Sequence, residues 1–160
     1  MKREYSKEEL LNKAEAYCSA AERCISEVQK KITLWGGELY CNEILSRLIS
    51  DKFIDETRFA KAFVRDKYRF NKWGSNKIVQ ALKLKRISSD DIQAGLSEID
   101  DDNYDENIVS LIAAKRKSVK GKSEYECNAK IIRYALSKGY DMKSIMKHIK
   151  CDGLDENFSD

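Results

Sequence analysis

Apolar residues recur along this chain at the three- and four-residue spacing that gathers them on one face of a helix. Ser6 reads as an N-cap with Glu8 and Glu9 in the first turn, where the helix dipole favours anions. Leu10, Leu11, Ala14, Tyr17, Cys18 and Ala21 then keep helical spacing to about Ala20. A second helix carries Ile25, Val28, Ile32 and Trp35 on one face and is stopped by Gly36-Gly37. A third, from Glu38 to about Ser50, is expected to bury Leu39, Ile44, Leu45 and Leu48. Asp55 caps a fourth, whose Phe59, Ala60, Phe63, Val64 and Phe70 share an arc expected to be core, with Arg58, Lys61, Arg65 and Arg69 roughly opposite. Trp73-Gly74 ends it. Ser75 is expected to cap a fifth helix, with Ile78, Val79, Ala81 and Leu82 inward and Lys77, Lys83, Lys85 and Arg86 largely outward. Ser88 and Asp91 form a capping pair ahead of Ile92, Leu96 and Ile99. The run Asp100-Asp101-Asp102-Asn103 repels itself and predicts a solvated linker, soft enough to act as a hinge. Helices resume over 104–117, 125–137 and 141–150.

The pattern repeats. Val28 and Ile32 match Ile78 and Leu82 at an offset of 50, and Asp55-Glu56 matches Asp105-Glu106 at the same offset. Ile78, Lys85, Ile87 and Ile92 match Ile131, Lys138, Tyr140 and Ile145 at an offset of 53. This predicts an all-α fold of tandem three-helix repeats, an elongated curved array of about nine helices, over a compact nine-helix globule with coincidental periodicity. The expected divisions are 1–53, 54–103 and 104–150, with 151–160 an acidic, disordered tail.

Composition sharpens this. None of the 160 residues is proline, which suits helix interiors. The net charge of +3 says little, but its distribution says more. From Arg58 to Arg86 there are ten bases and one acid, whereas residues 88–107 carry eight acids and no base. Residues 108–150 return to eleven bases and three acids. Five cysteines, with no C-x-x-C pair, no N-terminal apolar run and no span long enough to cross a membrane, predict free thiols in a reducing cytoplasm.

The middle repeat resembles the RecX family, bacterial regulators of the RecA recombinase. The likeness rests on Ile54-Asp55-Glu56-Thr57-Arg58-Phe59-Ala60, Lys72-Trp73-Gly74, Ile78 with Leu82, and Lys85-Arg86-Ile87-Ser88. Lys138-Gly139-Tyr140 with Ile145, and Glu27-Val28 with Lys31-Ile32, extend it over nearly the whole chain from about Ala14. Arg86 stands where the family usually has glycine, and Asn71 where glycine is common. The resemblance implies tandem three-helix repeats and a non-catalytic protein. It implies inhibition of RecA by binding its filament on single-stranded DNA, with no cofactor; a monomer that does not enter a membrane is expected.

Residue chemistry agrees with a binding role. His148 is the one histidine, and no phosphate-binding glycine loop or H-E-x-x-H motif occurs, so no metal or catalytic site is expected. The candidate partner-binding residues are Arg58, Lys61, Arg65, Lys67, Arg69, Lys72, Lys77, Lys83, Lys85, Arg86, Lys115, Arg116, Lys130 and Arg133. Each alone also fits a solvated helix face. Together they repel unless a polyanion or an acidic partner neutralises them. Trp73 and Tyr68 could stack on bases, but aromatics at this spacing more often belong to the core. Direct nucleic-acid binding without RecA, and a helical adaptor for another protein, remain alternatives.

Overall fold

The computed structural model describes residues 4–149. Within them the chain forms nine α-helices and no strand. These are α1 Lys7–Ala20, α2 Ile25–Leu34, α3 Cys41–Ser50, α4 Glu56–Arg69, α5 Ser75–Leu84, α6 Ser89–Leu96, α7 Asp101–Ser118, α8 Glu124–Ser137 and α9 Met142–Met146. The expected tail 151–160 lies outside the described residues.

The chain divides into two compact units, one made of residues up to Phe63 with Leu82–Gly95, the other of Val64–Ala81 with residues from Leu96 on. In the first unit α1, α2 and α3 pack against one another. They close over Leu10, Ala14, Cys18, Val28, Ile32, Ile44, Leu45, Leu48 and Ile54. The second unit gathers α7, α8 and α9 around Ile108, Ile112, Ile131, Ile132, Ala135, Tyr140 and Ile145.

The same turn closes the second helix of each expected repeat, and Lys52 with Phe53 repeats it at the end of α3. The residue at the end of the second helix of each expected repeat is left-handed: Gly36 at φ 81°, Arg86 at φ 62° and Gly139 at φ 98°. The next N–H then reaches back to a carbonyl of the helix, Gly37 N to Ile32 O at 2.9 Å, Ile87 N to Leu82 O at 3.1 Å, and Tyr140 N to Ala135 O at 3.3 Å. This is the glycine-favouring end that satisfies orphan carbonyls. Arg86 adopts the same conformation with a Cβ, at a cost of about 1 kcal/mol relative to glycine.

Helix starts follow local chemistry. Ser6 and Glu9 form the expected capping box. A second box uses Cys24 with Glu27 and had no recognised signal, because cysteine is not among the usual caps. The first amide of α2, Ile25 N, donates to Glu56 Oε2 at 3.2 Å. The first amide of α5, Ser75 N, donates to the Tyr104 hydroxyl at 2.8 Å, so Ser75 opens α5 instead of capping it. In each case a side chain from a later helix satisfies an orphan donor.

Several expectations need correction. Glu38–Tyr40 is a 3-10 turn, so α3 starts at Cys41 and Leu39 points to solvent at 86% exposure. Phe70 follows the last residue of α4 and is exposed at 80%. Phe63 is half-buried against Phe59, their ring centroids 5.8 Å apart, while Tyr68 is fully buried, which gives it to the core and not to base stacking. Asp100–Asn103 is no linker: Asp100 caps α7, accepting from Asp102 N at 3.0 Å, and Asp101 and Asp102 occupy its first turn. Their side chains stay in water, and the helix dipole offsets the like charge. The two compact units alternate along the chain, changing at 63/64, 81/82 and 95/96. The final expected helix is confined to Met142–Met146, capped by Asp141.

Candidate nucleic-acid and partner interface

In the second unit the Trp73-Gly74 turn is held against Lys138-Gly139-Tyr140. Gly74 N donates to Lys138 O at 2.7 Å and Asn76 N to Gly139 O at 3.0 Å. The buried Tyr140 hydroxyl donates to Lys72 O at 2.6 Å, and burial pushes its phenol well above the usual range. Buried Asn107 ties down the preceding residues, donating to Tyr68 O at 2.6 Å and accepting from Lys72 Nζ at 3.3 Å. Tyr68 in turn donates to Glu98 O at 3.2 Å. The turn is therefore rigid, which suits a surface that must present side chains in fixed positions.

On this frame two aromatic rings carry lysines. Lys67 Nζ and Lys77 Nζ lie 4.8 and 4.4 Å from the centroid of half-buried Trp73. Lys115 Nζ and Lys138 Nζ lie 4.5 and 5.5 Å from that of Tyr134. An ammonium over an aromatic face is attracted by the ring quadrupole without being neutralised. Lys77, Lys115 and Lys138 thus keep their positive charge beside apolar ring surface, the combination that holds a phosphate backbone and its bases. The Gly74–Lys138 hydrogen bond places the two turns side by side. Lys138 was absent from the expected set, although its motif was recognised.

The structure sorts the remaining candidates. Arg58 is engaged in the first unit: its Nε pairs with Glu22 at 2.7 Å and its Nη2 donates to Lys52 O at 3.1 Å. Lys85 pairs with Glu27 at 3.2 Å, and Lys130 with Glu126 at 3.6 Å. Arg116 donates to Asn128 Oδ1 at 2.8 Å, and Arg69 Nε to the Tyr68 hydroxyl at 3.1 Å, which leaves both charges unneutralised. Among the described residues no carboxylate pairs with Lys61, Lys83 or Arg86 in the first unit. The same holds for Arg65, Arg69, Lys72, Lys77, Lys115, Arg116 and Arg133 in the second.

Other reactive groups are quiet. Burial pushes the thiols of Cys18, Cys24 and Cys41 up, away from the thiolate. Cys127 is half-buried and also unbridged. His148 Nε2 lies 3.5 Å from Asp105 Oδ1. Among the described residues no group of three His, Cys, Asp or Glu side chains is placed to hold a metal ion, and no helix is long and apolar enough to cross a membrane.

The carboxylates of the first unit make its stability pH-dependent. Burial pushes Glu27 up, but the Cys24 N–H at 3.1 Å and Lys85 outweigh it and hold the carboxyl below its ordinary 4.5. Such a group adds stability above its unfolded pKa, lost as pH falls through the lowered value. Glu56 runs the other way: burial raises it, so it costs stability at neutral pH and the cost fades on acidification. Glu27→Gln should remove about 1 kcal/mol near neutral pH and nothing once the carboxyl is protonated. Denaturant unfolding at the two pH values checks this.

The family model described as "RecX, second three-helix domain" matches residues 55–96. "Regulatory protein RecX" of Clostridium botulinum (strain Alaska E43 / Type E3) is 32% identical over 165 residues, covering 97% of this chain and 74% of that protein. Its counterpart in C. botulinum strain Eklund 17B / Type B is 31% identical, with 91% and 70% covered. Two solved structures share the fold. A regulatory protein RecX has a TM-score of 0.78 at 22% identity, covering 87% of this chain and 72% of that one. RecX from Lactobacillus salivarius has a TM-score of 0.77 at 24% identity, covering 89% and 93%. At this identity and coverage of full-length relatives, the chain belongs to the RecX family of regulatory proteins.

Proposed function

We propose that this chain is a non-catalytic inhibitor of the RecA recombinase. It binds the RecA filament on single-stranded DNA through its basic helical faces, as a cytoplasmic monomer without a cofactor. The observation that carries this reading is the pair of lysine-flanked rings, Trp73 and Tyr134, set on one rigid frame among bases with no acid partner. A RecA–DNA filament offers protein carboxylates and phosphates together, so it matches charge left unneutralised over successive helices. Family membership supports the regulatory role, and the turn that closes the second helix of each repeat supports the repeat divisions 1–53, 54–103 and 104–150.

Co-sedimentation tests this. The chain should pellet with RecA-coated single-stranded DNA and bind bare DNA more weakly, with a steep dependence on salt in both cases. Equal or tighter binding to bare DNA would favour direct nucleic-acid binding, and no binding to either would remove the proposal.

A further inference from the structure

The first unit carries a cleft of about 400 Å³ lined by Ser26, Gln29, Lys30, Thr33, Leu84 and Arg86. Ser26, Gln29, Lys30 and Thr33 form one outward stripe of α2 at helical spacing, and Leu84 and Arg86 come from the end of α5. No acid lines it. Glu27, on the same helix, is already paired with Lys85.

Arg86 is the telling residue. In the turns that close the second helix of the other two repeats this position is glycine, Gly36 and Gly139; Lys52 and Lys72 are left-handed at the ends of α3 and α4. Arg86 holds φ at 62° with a long charged side chain, and no described group pairs with it. Backbone strain retained at an exposed charged residue, where glycine would relieve it, points to a function for the side chain. The cleft it enters offers a guanidinium, an ammonium, hydroxyls and an amide, the donor set that contacts phosphate oxygens. Leu84, 85% exposed beside them, supplies apolar surface for a sugar or base.

We propose that this cleft is a phosphate-binding subsite for the backbone of a single nucleic-acid strand, with Arg86 and Lys30 as its charged contacts. An acidic peptide presents anions too. The hydroxyl-rich lining and the small number of apolar side chains favour phosphate. The assignment rests on the nucleic-acid side of the function proposed above.

The test is anisotropy of a labelled oligothymidine titrated with wild type, Arg86→Gly and Lys30→Gln at several salt concentrations, beside thermal melting. Arg86→Gly should melt about 2–4 °C higher, because the strain is gone. It should also bind DNA roughly 3- to 10-fold more weakly, with the logarithmic salt slope reduced by about one. Lys30→Gln should lose binding similarly without the gain in melting temperature. Unchanged affinity and salt slope in both variants overturn the subsite. So does a matching loss for an oligoglutamate probe with DNA binding intact, which would give the cleft to an acidic protein segment. If wild type ignores bare DNA yet binds and inhibits RecA filaments, the subsite falls while the functional reading stands. If it does neither, that reading falls with it.

Discussion

Gly74→Ala is expected to unfold much of the second unit. A Cβ at Gly74 would lie 2.2 Å from Gly139 C, 2.3 Å from Gly139 O and 2.3 Å from Tyr140 N. These are backbone atoms, which do not swing aside as a side chain does. Moving them breaks the Gly74–Lys138 hydrogen bond at 2.7 Å and the Asn76–Gly139 bond at 3.0 Å. It also disturbs the Tyr140 hydroxyl on Lys72 O, a buried group with no water to replace its partner. The loss should be about 3 kcal/mol or more, a large part of the stability of a domain this size. Gly36→Ala is the control. Gly36 has φ 81° but nothing within 4 Å of its Cβ, so it should lose only about 1 kcal/mol from the strained backbone. Denaturant unfolding of the two variants separates close approach from backbone strain. Equal losses would show that the backbone contact is not what Gly74 provides.

Arg65→Glu with Arg69→Glu should cut filament binding more than about tenfold at moderate salt while leaving the fold in place. Both side chains are exposed and neither has a described acid partner. Arg69 gives up one hydrogen bond to the Tyr68 hydroxyl, but Tyr68 still donates to Glu98 O, so the cost should stay within about 1 kcal/mol. Lys72 is left unchanged in this variant. It sits at φ 55°, donates to Asn107 and accepts from Tyr140, so reversing it would mix folding with binding. A double variant that melts like wild type and sediments with filaments as before would assign these arginines to solvent alone.

Local chemistry explains what the sequence reveals. Helix spacing places Val28, Ile32, Leu48, Ile78 and Leu82 in cores because a 3.6-residue period needs only near neighbours. Offsets of 50 and 53 separate the left-handed turns at Gly36, Arg86 and Gly139, since each turn is encoded within a few residues. The failures lie where distant contacts or helix ends decide. Leu39 and Phe70 fit an apolar arc, but a 3-10 turn and the end of α4 remove them from it. Three aspartates repel as a loop yet start α7, because the dipole of a long helix favours them. Nothing near Gly74 announces that Gly139 will lie against it. The basic candidates were legible as charge, but only the geometry separates Arg58, Lys85 and Lys130, already paired, from those without an acid partner.

The central claim is that this chain restrains RecA on single-stranded DNA, and RecA's DNA-dependent ATP hydrolysis reports on it directly. Hydrolysis should fall progressively as wild-type chain is added and level off once the filament is saturated, while the Arg65→Glu, Arg69→Glu variant should leave the rate close to that of RecA alone. A rate unchanged by wild type at several-fold excess over the amount that binds would contradict the claim.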